Sequence, residues 1–136
     1  MISVREIDHL VLRTEHLEEM ITFYTRVLGM SIERRVDSIG LVQLRAGRSL
    51  LDLVPVDSEL GRKGGAAPAM EGRNLDHFCL RVDPFDETAI HDQLRSMSVD
   101  AGPTEQRYGA EGSGPSIYIR DPDGNTVELK GPARPL

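Results

Sequence analysis

Two histidines occupy the same place in a short phrase that occurs twice in this chain. The phrase reads IDHLVLR at residues 7–13 and LDHFCLR at residues 75–81, and four of its seven positions are identical. The repetition indicates that His9 and His77 hold equivalent positions in two halves of one duplicated fold. An imidazole nitrogen in each half could bind a metal ion or move a proton.

A carboxylate flanked by two apolar residues follows in each half, at Asp52 in LDL and at Glu128 in VEL. In a strand the flanking residues face the opposite way, so each carboxylate points away from the apolar side. Imidazole nitrogens together with carboxylate oxygens suit Fe, Mn, Ni, Co or Zn. The sequence therefore predicts one divalent metal ion, with His9, His77, Glu128 and Asp52 as its candidate ligands.

Length and composition restrict the class of protein. The 136 residues, 39% hydrophobic and 28% charged, suffice for one globular domain over residues 1–136 but not for two independently stable ones. No apolar stretch approaches the roughly 20 residues that a membrane span needs. A net charge of -6 without a basic cluster argues against nucleic acid as a partner. We therefore expect a small-molecule substrate and neither nucleic acid nor membrane as a partner.

The cysteine content and the N-terminus favour a cytoplasmic protein. Cys79 is the single cysteine, so no disulfide can form within the chain. We expect it to be a small buried thiol without a functional role. Residues 1–6 lead into a predicted strand and lack the basic, apolar and small-residue sections of a secretory signal.

Each half has the same predicted order of elements: strand, helix and three strands. The first module covers about residues 4–56 and begins with a strand at 4–13 that carries His9 on its polar face. Thr14 is the expected cap of a helix that runs to about Leu28. The strands that follow are predicted at 31–36, 39–45 and 49–55.

A glycine-rich stretch, about residues 57–73, is predicted to be a mobile linker. The second module covers about residues 74–131, and Asp83 followed by proline is its expected helix start. Residues 106–115, with three glycines, are predicted to form a loop. Its strands are predicted at 74–82, 116–120 and 126–130, the last two joined by the turn at 121–124.

These features resemble the vicinal oxygen chelate superfamily, which includes glyoxalase I, extradiol dioxygenases, fosfomycin-resistance enzymes, methylmalonyl-CoA epimerase and bleomycin-binding proteins. The resemblance covers nearly the whole chain and is carried by IDHLVL, FYTRVLGM at 23–30 and DPDGNTVEL at 121–129. It implies an α+β fold in which two tandem βαβββ modules form a cup-shaped mixed sheet with covering helices around one divalent metal. It also implies a homodimer.

The resemblance also implies roles for single residues. In glyoxalase-like members a ligand carboxylate moves the proton, which makes Glu128 the first candidate base. Asp52 is the second candidate; it is one methylene shorter than the glutamate of glyoxalase I, and it either ligates the metal or supports a ligand. Tyr118, ten residues before Glu128, matches a tyrosine that lines the substrate pocket of extradiol dioxygenases. Apart from the resemblance, Arg120, Arg107 and Lys130 at the rim of the cup would favour an anionic substrate, although scattered surface charge is the default interpretation.

The favoured function is a metal-dependent glyoxalase-like enzyme, of the lyase or isomerase type, acting on a small substrate with vicinal oxygens. The first alternative is an extradiol iron dioxygenase with His9, His77 and Glu128 as its triad, although residues 108–110 lack the acid–base histidine of those enzymes. A fosfomycin-resistance transferase is disfavoured because Val11 stands where a threonine is usual. The presence of His9, His77 and Glu128 disfavours a non-catalytic small-ligand or drug-binding protein, which stays open as a further alternative.

Overall fold

The chain divides into two compact units, Met1–Ala69 and Met70–Leu136. The computed structural model describes residues 1–134. Each unit contains one strand, one main helix and three further strands, and each sheet is mixed. The predicted α+β fold of two tandem βαβββ modules is therefore confirmed. None of the helices within residues 1–134 has the length and apolar content that crossing a lipid bilayer requires.

The first module consists of β1 (His9–Thr14), α1 (Leu17–Thr22) continuing as a π-helical turn (Phe23–Val27), β2 (Ser31–Val36), β3 (Leu41–Ala46) and β4 (Ser49–Pro55). Its sheet has the order β1-β4-β3-β2, with β1 parallel to β4 and the other pairs antiparallel. A parallel pair needs a crossover connection, which the helix, β2 and β3 provide here. The crossover makes β4 the inner neighbour of β1, which brings Asp52 onto the strand beside His9.

Side chains alternate between two environments across the first sheet. Leu12 and Leu44 are buried, as are Met20 and Tyr24 in the helical segment that packs on the sheet. Burial of such side chains is the main favourable term in folding. His9 lies on the other face and is exposed, so the predicted alternation in β1 is confirmed and leaves a polar face free for chemistry.

The start of α1 contradicts the prediction that Thr14 caps the helix. Thr14 is the last residue of β1: its carbonyl accepts the N–H of Val56 at 3.0 Å, and its Oγ1 accepts the N–H of His16 at 2.8 Å. The ladder with β4 therefore keeps Thr14 extended, and the helix begins only at Leu17. The strand is also shorter than predicted, because it begins at His9 and not at residue 4.

The second module consists of β5 (His77–Arg81), α2 (Glu87–Ser96), β6 (Glu105–Gly109), β7 (Gly112–Arg120) and β8 (Thr126–Lys130). The sheet order is β5-β8-β7-β6, with β5 parallel to β8, which repeats the topology of the first module. The residues that form its buried core are Phe85, Leu94, Ile117, Ile119, Val127 and Leu129.

The cap of α2 is Asp86 and not Asp83, as the sequence had suggested. The Asp86 side chain accepts the N–H of Ala89 at 3.0 Å, and Asp86 itself has extended backbone angles. An aspartate in this position satisfies one of the N–H groups that a helix leaves unpaired at its start. Proline after Asp83 was therefore a misleading signal for the first helical turn.

The predicted loop at 106–115 is wrong, because these residues form most of a β-hairpin between β6 and β7. The turn contains two residues, and its Glu111 accepts a hydrogen bond from Arg81 of β5. Gly114 lies within β7 because the backbone of Pro132 passes it closely: a Cβ at position 114 would be 2.5 Å from that carbonyl oxygen. Gly114 is thus required by the close approach of another backbone segment and does not indicate a loop.

Part of the predicted linker at 57–73 is held against β1. Arg13 of β1 donates hydrogen bonds to this segment, from Nε to the carbonyl of Gly61 at 3.0 Å and from Nη1 to the carbonyl of Ala66 at 3.1 Å. A third bond goes from Nη2 to the carbonyl of Gly65. A short 3-10 helix, Gly61–Gly64, lies in the same stretch. The beginning of the connecting segment is thus tied to the first module by one side chain.

Candidate metal centre

His77 and Glu128 lie together on the polar face of the second sheet. β5 and β8 are parallel neighbours, and Cys79 pairs with Glu128 in their register. This places Nε2 of His77 at 3.4 Å from Oε1 of Glu128. Glu128 is buried, with 6% of its surface exposed. The sheet topology thus brings together an imidazole and a carboxylate that are far apart in the sequence.

The spacing of this pair fits a shared metal ion. Nitrogen and oxygen ligands lie about 2.1 Å from Zn²⁺, so two of them on a tetrahedral ion are roughly 3.4 Å apart. The observed distance of 3.4 Å between Nε2 of His77 and Oε1 of Glu128 agrees with that value. Nitrogen and oxygen donors also suit Fe, Mn, Ni and Co. The distance between His77 and Glu128 is therefore compatible with the predicted metal site.

Tyr118 adjoins this pair. It pairs with Glu128 in the register of β7 and β8, and its ring meets that of His77 edge to face at 5.5 Å between centroids. Loss of hydration raises the pKa of the Tyr118 hydroxyl, and the negative charge of Glu128 raises it further. Tyr118 therefore keeps its proton at neutral pH and can donate a hydrogen bond.

Arg107 covers the other side of Tyr118. The guanidinium carbon is 4.1 Å from the centre of the ring, a cation–π contact. Hydrogen bonds of 3.1 and 3.0 Å from Nη1 to the carbonyl and Oγ of Ser116, and of 2.9 Å from Nη2 to Glu105, hold the side chain in place. Arg107 thus holds a positive charge beside Tyr118, paired with the carboxylate of Glu105.

His9 and Asp52 belong to the first module, and the carboxylate of Asp52 already accepts hydrogen bonds. Its carboxylate is 4% exposed and accepts hydrogen bonds from Nε2 of Gln43, which is 3.2 Å from both oxygens. The hydrogen bond from His9 to Asp8 raises the pKa of the His9 imidazole, and the charge of Asp52 raises it further. Gln43 is a residue that sequence reasoning missed. Its polar side chain between buried Val42 and Leu44 in β3 was the available signal.

Both histidines make the same second contact. Nδ1 of His9 is 2.7 Å from Oδ1 of Asp8, and Nδ1 of His77 is 2.7 Å from Oδ2 of Asp76. Within either module, no three His, Cys, Asp or Glu side chains of the described residues 1–134 are grouped closely enough to hold a metal ion.

Cys79 differs from the prediction of a buried thiol, because the residue is exposed. Its sulfur nevertheless lies beside Glu128, and desolvation together with that negative charge raises the pKa of the thiol to about 12. Since the thiolate is the reactive form, Cys79 is a weak nucleophile at neutral pH.

Comparison with known proteins identifies the class. Residues 6–129 match the Glyoxalase/Bleomycin resistance protein/Dioxygenase superfamily, and the chain belongs to this family. The glyoxalase domain-containing protein RDO1 of Mycosarcoma maydis is 35% identical over 135 residues, which cover 94% of this chain and 69% of RDO1. Lactoylglutathione lyase GLX1 of Arabidopsis thaliana is 28% identical over 135 residues, which cover 94% of this chain and 45% of GLX1.

A third relative links sequence and fold. Virulence protein STM3117 of Salmonella typhimurium is 30% identical over 131 residues, which cover 93% of this chain and 83% of that protein. Its crystal structure superposes with a TM-score of 0.76 and 25% identity, over 97% of this chain and 100% of that chain. The fold described above is thus the fold of a solved relative.

Proposed function

We propose that this protein is a metal-dependent glyoxalase-like enzyme, of the lyase or isomerase type, acting on a small substrate with two adjacent oxygens. The observation that carries the proposal is the contact of 3.4 Å between Nε2 of His77 and Oε1 of Glu128 on a polar sheet face. Membership of the superfamily and the similarity to a lactoylglutathione lyase support it.

The residues that would hold the divalent metal are His77 and Glu128, with His9 and Asp52 as the donors from the first module. A bound metal supplies Lewis-acid activation of the two substrate oxygens. Glu128 takes a proton from the substrate carbon and returns it to the neighbouring carbon. A carboxylate that is 6% exposed suits this role, because little water competes for the proton that it carries.

Tyr118 and Arg107 assist in stabilising negative charge on the substrate. The raised pKa of Tyr118 keeps its hydroxyl protonated, so it can donate a hydrogen bond to an oxygen that becomes an enolate. The guanidinium carbon of Arg107 is 4.1 Å from the centre of the Tyr118 ring, so Arg107 orients that ring and adds positive charge beside it. This combination favours an anionic substrate, or an anionic intermediate, over a neutral apolar one.

The first test is metal content followed by activity. Elemental analysis of the purified protein is expected to find a divalent metal, and the loaded protein to isomerise the hemithioacetal of methylglyoxal and glutathione. Glu128→Gln should lower kcat by about 10²–10⁴-fold, the usual contribution of general acid–base catalysis. Glu87→Gln, at an exposed glutamate of α2, is the matched control. Failure of the wild-type protein to bind any divalent metal would exclude this function.

A second candidate function is an iron-dependent extradiol dioxygenase. One observation favours it: Nε2 of Gln43 is 3.2 Å from both oxygens of Asp52. With Asp52 held by Gln43, the remaining candidate ligands are His9, His77 and Glu128, a triad of two histidines and one carboxylate. Asp52→Asn distinguishes the two candidates. A loss of metal affinity well above about 100-fold, the upper limit for a residue that only supports a ligand, indicates that Asp52 is a fourth ligand. Unchanged Fe²⁺ affinity with ring cleavage of catechol indicates the dioxygenase.

A further inference from the structure

The aspartate before each histidine has no part in the function described so far. It nevertheless makes the same contact in both modules, at 2.7 Å from Nδ1 of His9 and at 2.7 Å from Nδ1 of His77. A carboxylate accepts hydrogen bonds and does not donate them, so the shared proton is on Nδ1 in both cases. Asp8 and Asp76 thus select one of the two tautomers of the neutral imidazole.

The selected tautomer has a consequence for the other ring nitrogen. A neutral imidazole with its proton on Nδ1 carries a lone pair on Nε2. In the second module that nitrogen is 3.4 Å from Oε1 of Glu128, so a lone pair and a carboxylate oxygen face each other. Two such groups repel unless a cation lies between them. The hydrogen bond that Nδ1 of His77 donates to Asp76 therefore leaves Nε2 in the form that can bind a metal.

The duplication makes an accidental contact a poor explanation. The surroundings of the two histidines differ: Asp52 and Gln43 in the first module, Glu128 and Tyr118 in the second. The contact to the preceding aspartate is nevertheless the same in atom type and distance. The contact that both modules share is thus the one that acts on the imidazole ring of the histidine.

We propose that Asp8 and Asp76 are positioning residues, each of which fixes the tautomer and ring orientation of the following histidine and so directs its Nε2 to the metal. The identity of the bound cation rests on the proposed function, whereas the tautomer is a property of the protein alone. Partners of this kind typically contribute 10–100-fold in metal affinity. We expect the lower end here, because the side chains of Asp8 and Asp76 are 89% and 96% exposed.

The first experiment reads the tautomers without metal. Long-range ¹H–¹⁵N correlation spectra of the metal-free protein at about pH 9, above the ordinary histidine pKa, should show protonated Nδ1 in His9 and His77. Asp8→Ala and Asp76→Ala should each shift the affected ring toward protonated Nε2. Asp8→Asn and Asp76→Asn keep an acceptor oxygen and should restore much of the original tautomer. Asp57→Ala and Asp100→Ala, at one exposed aspartate in each of the two compact units, are the controls.

The second experiment titrates Co²⁺ into the same proteins and follows its visible absorption. Each of the alanine variants at positions 8 and 76 is expected to bind about tenfold more weakly than the wild type, and the controls to bind as the wild type does. Unchanged tautomers, or shifted tautomers with unchanged affinity, would overturn the proposal. A wild type that binds no Co²⁺, Fe²⁺ or Zn²⁺ would contradict the proposed function, and the spectra of the metal-free proteins would still decide the role of the two aspartates.

Discussion

At the scale of single residues, Glu128 contributes to the raised pKa values of two neighbours. Its negative charge adds to desolvation in raising the pKa of the Cys79 thiol to about 12 and in raising the pKa of the Tyr118 hydroxyl. Both neighbours therefore keep their protons at neutral pH. Of the three side chains, only the Glu128 carboxylate is left to accept a proton, which agrees with its proposed role as the base.

The reactivity of Cys79 tests this electrostatic coupling. Iodoacetamide should alkylate Cys79 slowly at about pH 8, and the rate should rise about tenfold per pH unit, because the thiolate fraction grows in this way below the pKa. Glu128→Gln removes the nearby charge, lowers the pKa of the thiol and should speed alkylation by roughly threefold or more. Mass spectrometry of timed samples gives the rates. If Glu87→Gln accelerates the reaction equally, the effect does not come from Glu128.

At the scale of elements, the start of α2 shows that local sequence patterns can mislead. Asp83 before a proline and Asp86 three residues later both resemble caps, and the structure selects Asp86 through its bond of 3.0 Å to the N–H of Ala89. Asp86→Ala should lower the free energy of unfolding by about 1 kcal/mol, the usual contribution of a capping bond. Asp83→Ala should change it by less than about 0.5 kcal/mol. Urea denaturation measures both, and equal losses would contradict the assignment.

The hairpin of β6 and β7 shows a second limit at this scale. Three glycines between residues 106 and 115 indicated a loop, since glycine is most often needed for turns. Gly114 is needed instead because the carbonyl of Pro132 would be 2.5 Å from a Cβ at that position. Arg107 was expected at the rim, but its contact with Tyr118 could not be foreseen, because a residue in a loop has no defined face.

At the scale of the whole molecule, the proposal that both modules serve one metal ion has a thermodynamic test. Co²⁺ affinities of His9→Ala, His77→Ala and the double variant form a double-mutant cycle. If one ion binds both histidines, the losses should be non-additive by about 0.5–3 kcal/mol, and the wild type should bind one ion per chain. Additive losses would indicate two independent sites. His91→Ala, whose ring contacts Thr104 at 3.1 Å, is the control.

The sequence by itself determined the order of elements in the first module, all but one strand of the second, and the types of the candidate donors. Strand alternation and the repeated phrase are local, and His9, His77, Asp52 and Glu128 can be recognised by type and context alone. Only the tertiary structure decided which side chains of a module are in contact. Nε2 of His77 contacts Glu128, and Gln43 donates a hydrogen bond to Asp52. These contacts depend on the register of strands that are distant in the sequence, and no local pattern encodes that register.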